Sequence, residues 1–520
     1  MAQRVATPLE FALGTEIIVN TTGRETRVAL IEDGQLAEIH IDRGDAESYV
    51  GNVYLGRVVR VLPGMQAAFV DIGLERAAFL YAGDIYPEFV DKGEDDVDID
   101  DDPDATIAEA APRSRPRHGH PPIQDLIKEG QEVLVQVAKD PISTKGARVT
   151  THITLPGRYL VYMPTVNHLG ISRRIGRDRE RRKLRDFVKK YRPKGAGFIV
   201  RTVCAGKPVE SLKQDMDYLI EQWETIKKNQ GKKKAPVRIH QEDTMVTRLV
   251  RDGFTNDVER MVIDTKPIFD DIQNFMSKLM PDFKDRVQLY RGADPVFDTF
   301  GVEVELNKSL GQKVWLKSGG YLIIDQAEAL TAIDVNSGKF VGSSSLEDTT
   351  TQCNLEAVDE IAHQLRLRNI GGIIVLDFID MERQSNRDRV NKALEKALKK
   401  DRSRTNALKI SDLGLVEMTR KRVQEDLVQS ISQTCHYCEG TGHTRSSTTI
   451  VYDILREIKR ENARTKNEEN IFINANPAVA DLMYGAELGS VEDLEREIKK
   501  RIVVRAMGHY HLERYEVYSR

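Results

Sequence analysis

Hydrophobic and polar residues first alternate with period two. "EIIVN", "TRVALIEDG" and "LAEIHIDR", all within residues 16–42, read as strands separated by turn signals. Residues 51–85, "GNVYLGRVVRVLPGMQAAFVDIGLERAAFLYAGDI", are rich in β-branched side chains and cut into short runs by glycine. That pattern predicts a small antiparallel barrel of the OB type. "GQEVLVQVAKD" (130–140) resumes the alternation as its last strands. Between them, residues 91–120 are acidic and contain proline, and are expected to form a disordered loop.

Strand-like "GRYLVYMP" and "GAGFIVRTV" follow between 151 and 246, and residues 247–310 carry a mixed, weak pattern. From about 311 the signal becomes α/β. "KVWLKSGGYLIID" and "ALTAIDVNS" predict strands. "NLEAVDEIAHQLRLRNI" places Leu355, Val358, Ala362 and Leu365 on one helical face. "GGIIVLDFID" is apolar nearly throughout, as a strand buried on both faces would be. A second helix sets Val390, Leu394 and Leu398 four apart, and "ALKISDLGLVEMTRKR" closes the sheet. Residues 446–520 read as a small α/β unit, and no internal repeat is evident.

Composition narrows the class. A chain of 520 residues has room for three or more domains, and 40% hydrophobic with 30% charged residues predicts a folded, soluble protein. Four irregularly spaced cysteines argue against a disulfide scaffold and for a reducing compartment. No apolar run reaches the length of a membrane span and the first residues lack a signal-peptide core, so the cytoplasm is expected. The net charge of −4 conceals an uneven distribution. Residues 91–120 hold ten acids and four bases, whereas 171–197 hold twelve bases and three acids. A second basic run, "IKKNQGKKKAPVR", follows at 226–238. Such runs are commonly solvated helix faces, but two close together also suit a phosphate-rich partner.

Candidate chemistry lies where strands end. "LTAIDVNS" supplies Asp334 and Asn336, and "IIVLDFIDM" supplies Asp377 and Asp380. Carboxylates at neighbouring strand ends can share a hard cation such as Mg²⁺, with Asn336 steadying one carboxylate and Arg404 offsetting charge. Strand-end acids can equally cap helices or bind water. Phe69 and Phe79 could be barrel core or a base-stacking surface beside Arg57, Arg60 and Lys145. Cys435 and Cys438 in "TCHYCEGTGH" form half of a tetrahedral Zn²⁺ site. A second copy of the chain could supply the other half. The alternatives are a redox dithiol or a site completed by His436 or His443.

In order, "AAFVDIG", "SGGYLIIDQAEALTAIDVNSGKF", "CNLEAVDEIAHQLRLRNIGGIIVLDFIDM", "GLVEMTRKR" and "CHYCEGTGH" resemble the bacterial ribonuclease E/G family over nearly the whole chain. The chain is expected to be similar to its shorter members, those without a scaffold tail. The resemblance implies a multidomain α/β and β architecture. Residues 1–45 and 247–310 would form a split RNase H-like domain, with an S1 (OB-type) barrel at 46–150. A 5′-phosphate sensor region would span 151–246 and a DNase I-like catalytic domain 311–431. A zinc link at 432–445 and a small C-terminal domain at 446–520 complete the expectation. It also implies Mg²⁺ on Asp334 and Asp377 with Asn336 in support, and RNA contacts at Phe69, Phe79 and Lys145. Gly157, Val161, Arg201 and Thr202 would receive a 5′-monophosphate, and Cys435 and Cys438 would bind a structural Zn²⁺ between protomers that pair further into a tetramer. The expected activity is a Mg²⁺-dependent endoribonuclease acting on single-stranded RNA in rRNA and tRNA processing and mRNA decay. The rivals are a catalytically idle S1-domain RNA-binding regulator and a metal-dependent phosphatase for small molecules.

Overall fold

A computed structural model describes residues 14–44, 48–85, 121–141, 146–176, 178–339, 346–411, 413–422, 425–465 and 468–520, and the backbone of 95–99. Lys145 lies outside the described residues, as does most of the acidic 91–120 segment. The chain forms two compact units, Met1–Ser430 and Ile431–Arg520. No described helix is long and apolar enough to cross a membrane.

The three N-terminal strands, Thr15–Thr22, Glu25–Glu32 and Gln35–Asp42, form an antiparallel meander. Asp33 and Gly34, both at positive φ, make the tight turn between the second and third, where the chain needs a left-handed backbone. Val258–Ile263 adds parallel to the first strand, and Val287–Leu289 adds parallel to that. One sheet is therefore assembled from segments more than two hundred residues apart. Ile17, Val19, Val28 and Leu30 pack on one face, and Ile18, Ala29 and Ile31 on the other.

Between these pieces lies the barrel. Val53–Leu62, Ala67–Asp71, Ala78–Tyr81, Arg148–Thr150 and Glu132–Lys139 pair in that order, and the last returns to the first. Five strands close completely around Val58, Val70, Leu80, Val135, Val137 and Val149, as an S1/OB-type domain requires. A further sheet joins Leu155–Pro156, Leu160–Met163, Gly197–Val200 and His168–Ser172, packed with the helices Asp178–Tyr191 and Val209–Gln230. Its edge corrects one expectation. Asp95–Ile99, within the segment expected to be disordered, forms a strand parallel to His168–Ser172. The edge of that sheet offers an open row of backbone donors and acceptors, which the segment completes.

The last large sheet orders Lys313–Trp315, Tyr321–Gln326, Leu330–Asn336, Gly372–Asp377, Leu415–Arg420 and Thr405–Ala407. Helices Leu346–Leu367 and Gln384–Leu398 cover one face over Leu322, Ile333, Val335, Ile374, Leu376 and Val416. The buried stripe of the first helix runs through Ala357, Val358, Ile361 and Leu365, so Leu355 and Ala362 lie at its margin. The opposite face is open: Ala332, Asp334, Ile373 and Asp377 are exposed along it. Gly372–Asp377 was expected to be buried on both faces. Its uniform apolarity hides a half-open strand, because Ile373 is 53% exposed. In the second unit, Asn470–Ala475 pairs parallel with Arg501–Ala506 and antiparallel with Tyr515–Ser519 beneath three helices.

Candidate functional site

Period-two alternation turns Ile333 and Val335 into the core and Asp334 and Asn336 to the open face. Leu330–Asn336 and Gly372–Asp377 run parallel with Asp334 directly opposite Asp377, which sets the two carboxylates side by side. Asn336 Nδ2 donates to Asp334 Oδ2 at 2.7 Å. Partial burial, then the negative charges of Asp334 and Asp380, push the Asp377 carboxyl above its ordinary range. Among the described residues no cation pairs with Asp334, Asp377 or Asp380, so the site gathers negative charge on hard oxygen donors. That suits a hydrated divalent cation held by one or two carboxylates.

Two residues absent from the sequence reading hold this edge in place. Asn354, fully buried, donates to Ile379 O at 2.8 Å and accepts from Ile379 N at 3.1 Å, fixing the turn between Asp377 and Asp380. Glu347 accepts from the backbones of Glu382 and Arg383 at 3.1 Å each, and from Asn386. The signal for both was polarity on a helix that already had an apolar stripe. Arg404 is a correction. It adjoins Thr405, which pairs with Arg420, which pairs in turn with Gly372. That is the opposite end of the strand from Asp377, five residues or about 17 Å away. There Arg404 lines a groove of about 470 Å³ with Gly372, Ile373, Asn406 and Lys421.

On the barrel, one row of register partners crosses five strands: Arg60, Phe69, Phe79, Arg148 and Lys139. Core positions alternate with these, so Phe69 and Phe79 are half-buried on the outer wall rather than inside it. Their rings meet edge to face at 5.6 Å. Tyr81, two residues beyond Phe79, extends the cluster at 4.3 Å and is 43% exposed. The Arg148 guanidinium lies over the Tyr81 ring at 5.0 Å while bonded to Asp84. The same alternation that singled out Phe79 would have found Tyr81.

Gly157, Val161, Arg201 and Thr202 lie on neighbouring segments. Val161 pairs with Ile199, Arg201 Nη1 donates to Gly157 O at 3.0 Å, and Thr202 Oγ1 lies 2.8 Å from Ser172 Oγ. Asp215, also missed, organises the loop by accepting from the backbones of Arg158, Tyr159 and Leu160 at 2.8–3.0 Å. A side chain on Gly157 would strike that carboxylate, since a Cβ would fall 2.7 Å from its oxygens. Arg201 departs from expectation. Its guanidinium is buried and bonded to Asp252, which is itself paired with Arg251, instead of standing open for phosphate.

In the second unit, Cys435 is exposed and Cys438 half-buried, both free. They sit in a turn where Glu439, Gly440 and Gly442 have positive φ, ahead of the helix Ser447–Arg464. Backbone donors from Cys438 and Tyr437 pull the Cys435 thiol below its ordinary range, toward thiolate. His511 is engaged with Tyr437, its Nε2 lying 2.7 Å from the carbonyl oxygen. Among the described residues no cluster of three or more His, Cys, Asp or Glu side chains forms a metal cage.

The chain thus combines a closed OB-type barrel with an α/β domain that carries paired carboxylates on an open sheet face. Residues 154–423 match the model of the ribonuclease E/G family, and 434–520 match its thioredoxin-like domain. Ribonuclease G of Haemophilus influenzae is 42% identical over 505 residues, which are 96% of this chain and 99% of that protein. Ribonuclease G of Escherichia coli is 42% identical over 502 residues, again 96% of this chain and 99% of that protein. Ribonuclease E of Escherichia coli is 36% identical over 508 residues, covering 96% of this chain and 46% of that protein. The chain belongs to the ribonuclease E/G family and is an endoribonuclease, a hydrolase that processes RNA.

Proposed function

We propose that the protein cuts single-stranded RNA on the open face of the Leu330–Asn336 and Gly372–Asp377 strands, leaving 5′-phosphate and 3′-hydroxyl ends. The observation that carries this is the in-register pair Asp334 and Asp377, with Asn336 clamped to Asp334. These two carboxylates would hold Mg²⁺, which supplies positive charge at the scissile phosphate and lowers the pKa of the attacking water. Asn336 fixes the Asp334 carboxylate, while Asn354 and Glu347 keep the Asp377–Asp380 turn from drifting. Phe69, Phe79 and Tyr81 stack on bases, and Arg60, Arg148, Lys139 and Lys145 attract the phosphates. Gly157, Val161, Arg201 and Thr202 receive a 5′-monophosphate and favour substrates that carry one. For that, Arg201 must share its guanidinium with Asp252. Arg404 is given no catalytic role.

The domain boundaries expected from the sequence belong to the same reading. The split assignment of an RNase H-like domain to 1–45 and 247–310 is supported by the parallel pairing of Thr15–Thr22 with Val258–Ile263. The helices on one face of the six-stranded sheet suit a DNase I-like layer at 311–431. Cys435 and Cys438 supply two thiolates, so a structural Zn²⁺ would take its other two from a second protomer, in a dimer that pairs into a tetramer. The cellular work is processing of rRNA and tRNA and decay of mRNA in the cytoplasm. The deciding experiment incubates a 5′-monophosphorylated single-stranded RNA with the protein, with Mg²⁺ or with EDTA, and identifies the new ends. Cutting in EDTA, or a cyclic phosphate product, defeats the reading.

A further inference from the structure

The basic runs have so far been given no task. The helix Asp178–Tyr191 carries seven bases and three acids. Leu184, Phe187 and Val188 face its core, which turns Arg179, Arg182, Lys183 and Lys190 to solvent. Among the described residues no carboxylate pairs with any of these four, nor with Lys213 on the neighbouring helix. A merely solvated helix face typically pairs both signs four apart, whereas here the exposed Asp186, four residues from both Arg182 and Lys190, is bonded to neither among the described residues.

An aromatic ring stands at the end of this surface. Tyr191 is 39% exposed and braced from behind by Phe187, with ring centroids 5.1 Å apart. Two ammonium groups lie over its ring, Lys190 Nζ at 5.1 Å and Lys213 Nζ at 5.5 Å from the centroid. A nucleobase would take their place on the half-exposed ring, leaving the two flexible lysines to its phosphates. The helix is also held firmly. Arg181 Nη1 donates to Ser172 O at 2.7 Å and to Ile175 O at 3.2 Å, so the patch is rigidly joined to the sheet.

We propose that this face, Arg182, Lys183, Lys190, Tyr191 and Lys213, is a second docking surface for single-stranded RNA, separate from the barrel and from the carboxylates. It rests on the assignment of RNA as substrate, and depends on neither the metal site nor the 5′-phosphate pocket. Its function is to hold a segment of a long transcript away from the cleavage point, which raises the affinity for long RNA over short.

The test measures binding of a 5′-hydroxyl single-stranded RNA of roughly 30 nucleotides to the full chain in EDTA, across a salt series. The 5′-hydroxyl end leaves the 5′ pocket without its ligand and EDTA silences any metal-dependent step, so failure of those assignments leaves the result readable. A triple variant, Arg182→Gln with Lys183→Gln and Lys190→Gln, removes three charges at about 0.7 counterions each. The slope of log affinity against log salt should flatten by about 2, and affinity should fall tenfold or more at low salt. Tyr191→Ala should weaken binding about tenfold with the slope unchanged. Cleavage of a short RNA in Mg²⁺ should be unaltered in both, which confirms folding. Parent-like affinity and slope in the triple variant would show a solvated face and overturn the proposal. So would a Tyr191→Ala protein that binds normally, or a loss in the triple variant that is equal for duplex RNA. Either would mean charge attraction without a single-strand site.

Discussion

Replacing Asp377 by Asn should make the metal-free protein slightly more stable and nearly inactive. Asp377 stands directly opposite Asp334 in a parallel ladder, with Asp380 close behind. Like charges facing across a sheet destabilise by about 0.2–1 kcal/mol, and the exposure of this face argues for the lower half of that range. The amide keeps the shape and removes one charge of the pair, so a gain of about 0.3–0.5 kcal/mol is expected. The pH dependence follows. The Asp377 carboxyl titrates above its ordinary value of 3.8, so over the interval between the two values the folded state binds more protons than the unfolded. The parent therefore loses stability as pH rises through that window, and the variant lacks this contribution. Mg²⁺ reverses the order. At a hundredfold excess over its dissociation constant, an ion bound only by the folded parent adds about 2.7 kcal/mol, and Asp377→Asn should gain little. Loss of a metal ligand should lower kcat/KM at least a thousandfold, about 4 kcal/mol of transition-state stabilisation. Calorimetry in EDTA and in Mg²⁺, paired with a cleavage time course, reads every term. A variant destabilised in EDTA, or stabilised by Mg²⁺ as much as the parent, would refute the charge argument.

Asp215→Ala strands three buried backbone donors and should destabilise the protein by about 3–5 kcal/mol in urea titration, while Asp215→Asn, which keeps one acceptor, should lose less. Arg201→Ala should abolish the faster cutting of 5′-monophosphorylated over 5′-hydroxyl RNA, measured as a ratio of kcat/KM. Tyr81→Ala should weaken binding of single-stranded RNA about fivefold to twentyfold without changing kcat, as read by fluorescence anisotropy and single-turnover rates. Metal analysis should find half a zinc per chain, and Cys435→Ser with Cys438→Ser should release it and halve or quarter the mass in light scattering. One zinc per chain would point to a site within a single protomer.

Legibility followed periodicity. The alternating runs at 16–42 and 51–85 announced strands, and the spacing of Val390, Leu394 and Leu398 marked a helix whose core face is those residues. Asp334 and Asn336 were readable as a pair because two-residue spacing alone sets them on one face. Their register with Asp377 was not, since nothing local dictates which residue of a distant strand lies opposite. Asn354 and Asp215 escaped for a related reason. A buried polar side chain resembles a solvent-facing one until the backbone groups it satisfies are known, and those lie 25 residues away for Asn354 and 55–57 for Asp215. Arg404 misled because proximity in sequence to the last strands said nothing about which end of the sheet it would reach.

On the proposed reading, the exposure of Asp334 and Asp377 on an open sheet face suits a polymer substrate. A small-molecule enzyme encloses its substrate, so its carboxylates line a pocket and lose solvent. Here Asp334 and Asp377 are exposed on a sheet face flanked by the exposed Leu330 and Ile373, and the 470 Å³ groove lies at the far strand end. A polymer must enter from the side and leave on both sides, which a closed pocket forbids and an open face permits. Affinity then has to come from surfaces beyond the reacting phosphate. On the proposed reading, the aromatic–basic row across the barrel and the Tyr191 patch serve as two such surfaces, each an aromatic cluster with basic side chains beside it. A small-molecule phosphatase would leave both without purpose, whereas an endoribonuclease needs them to hold a strand long enough for one bond to be cut.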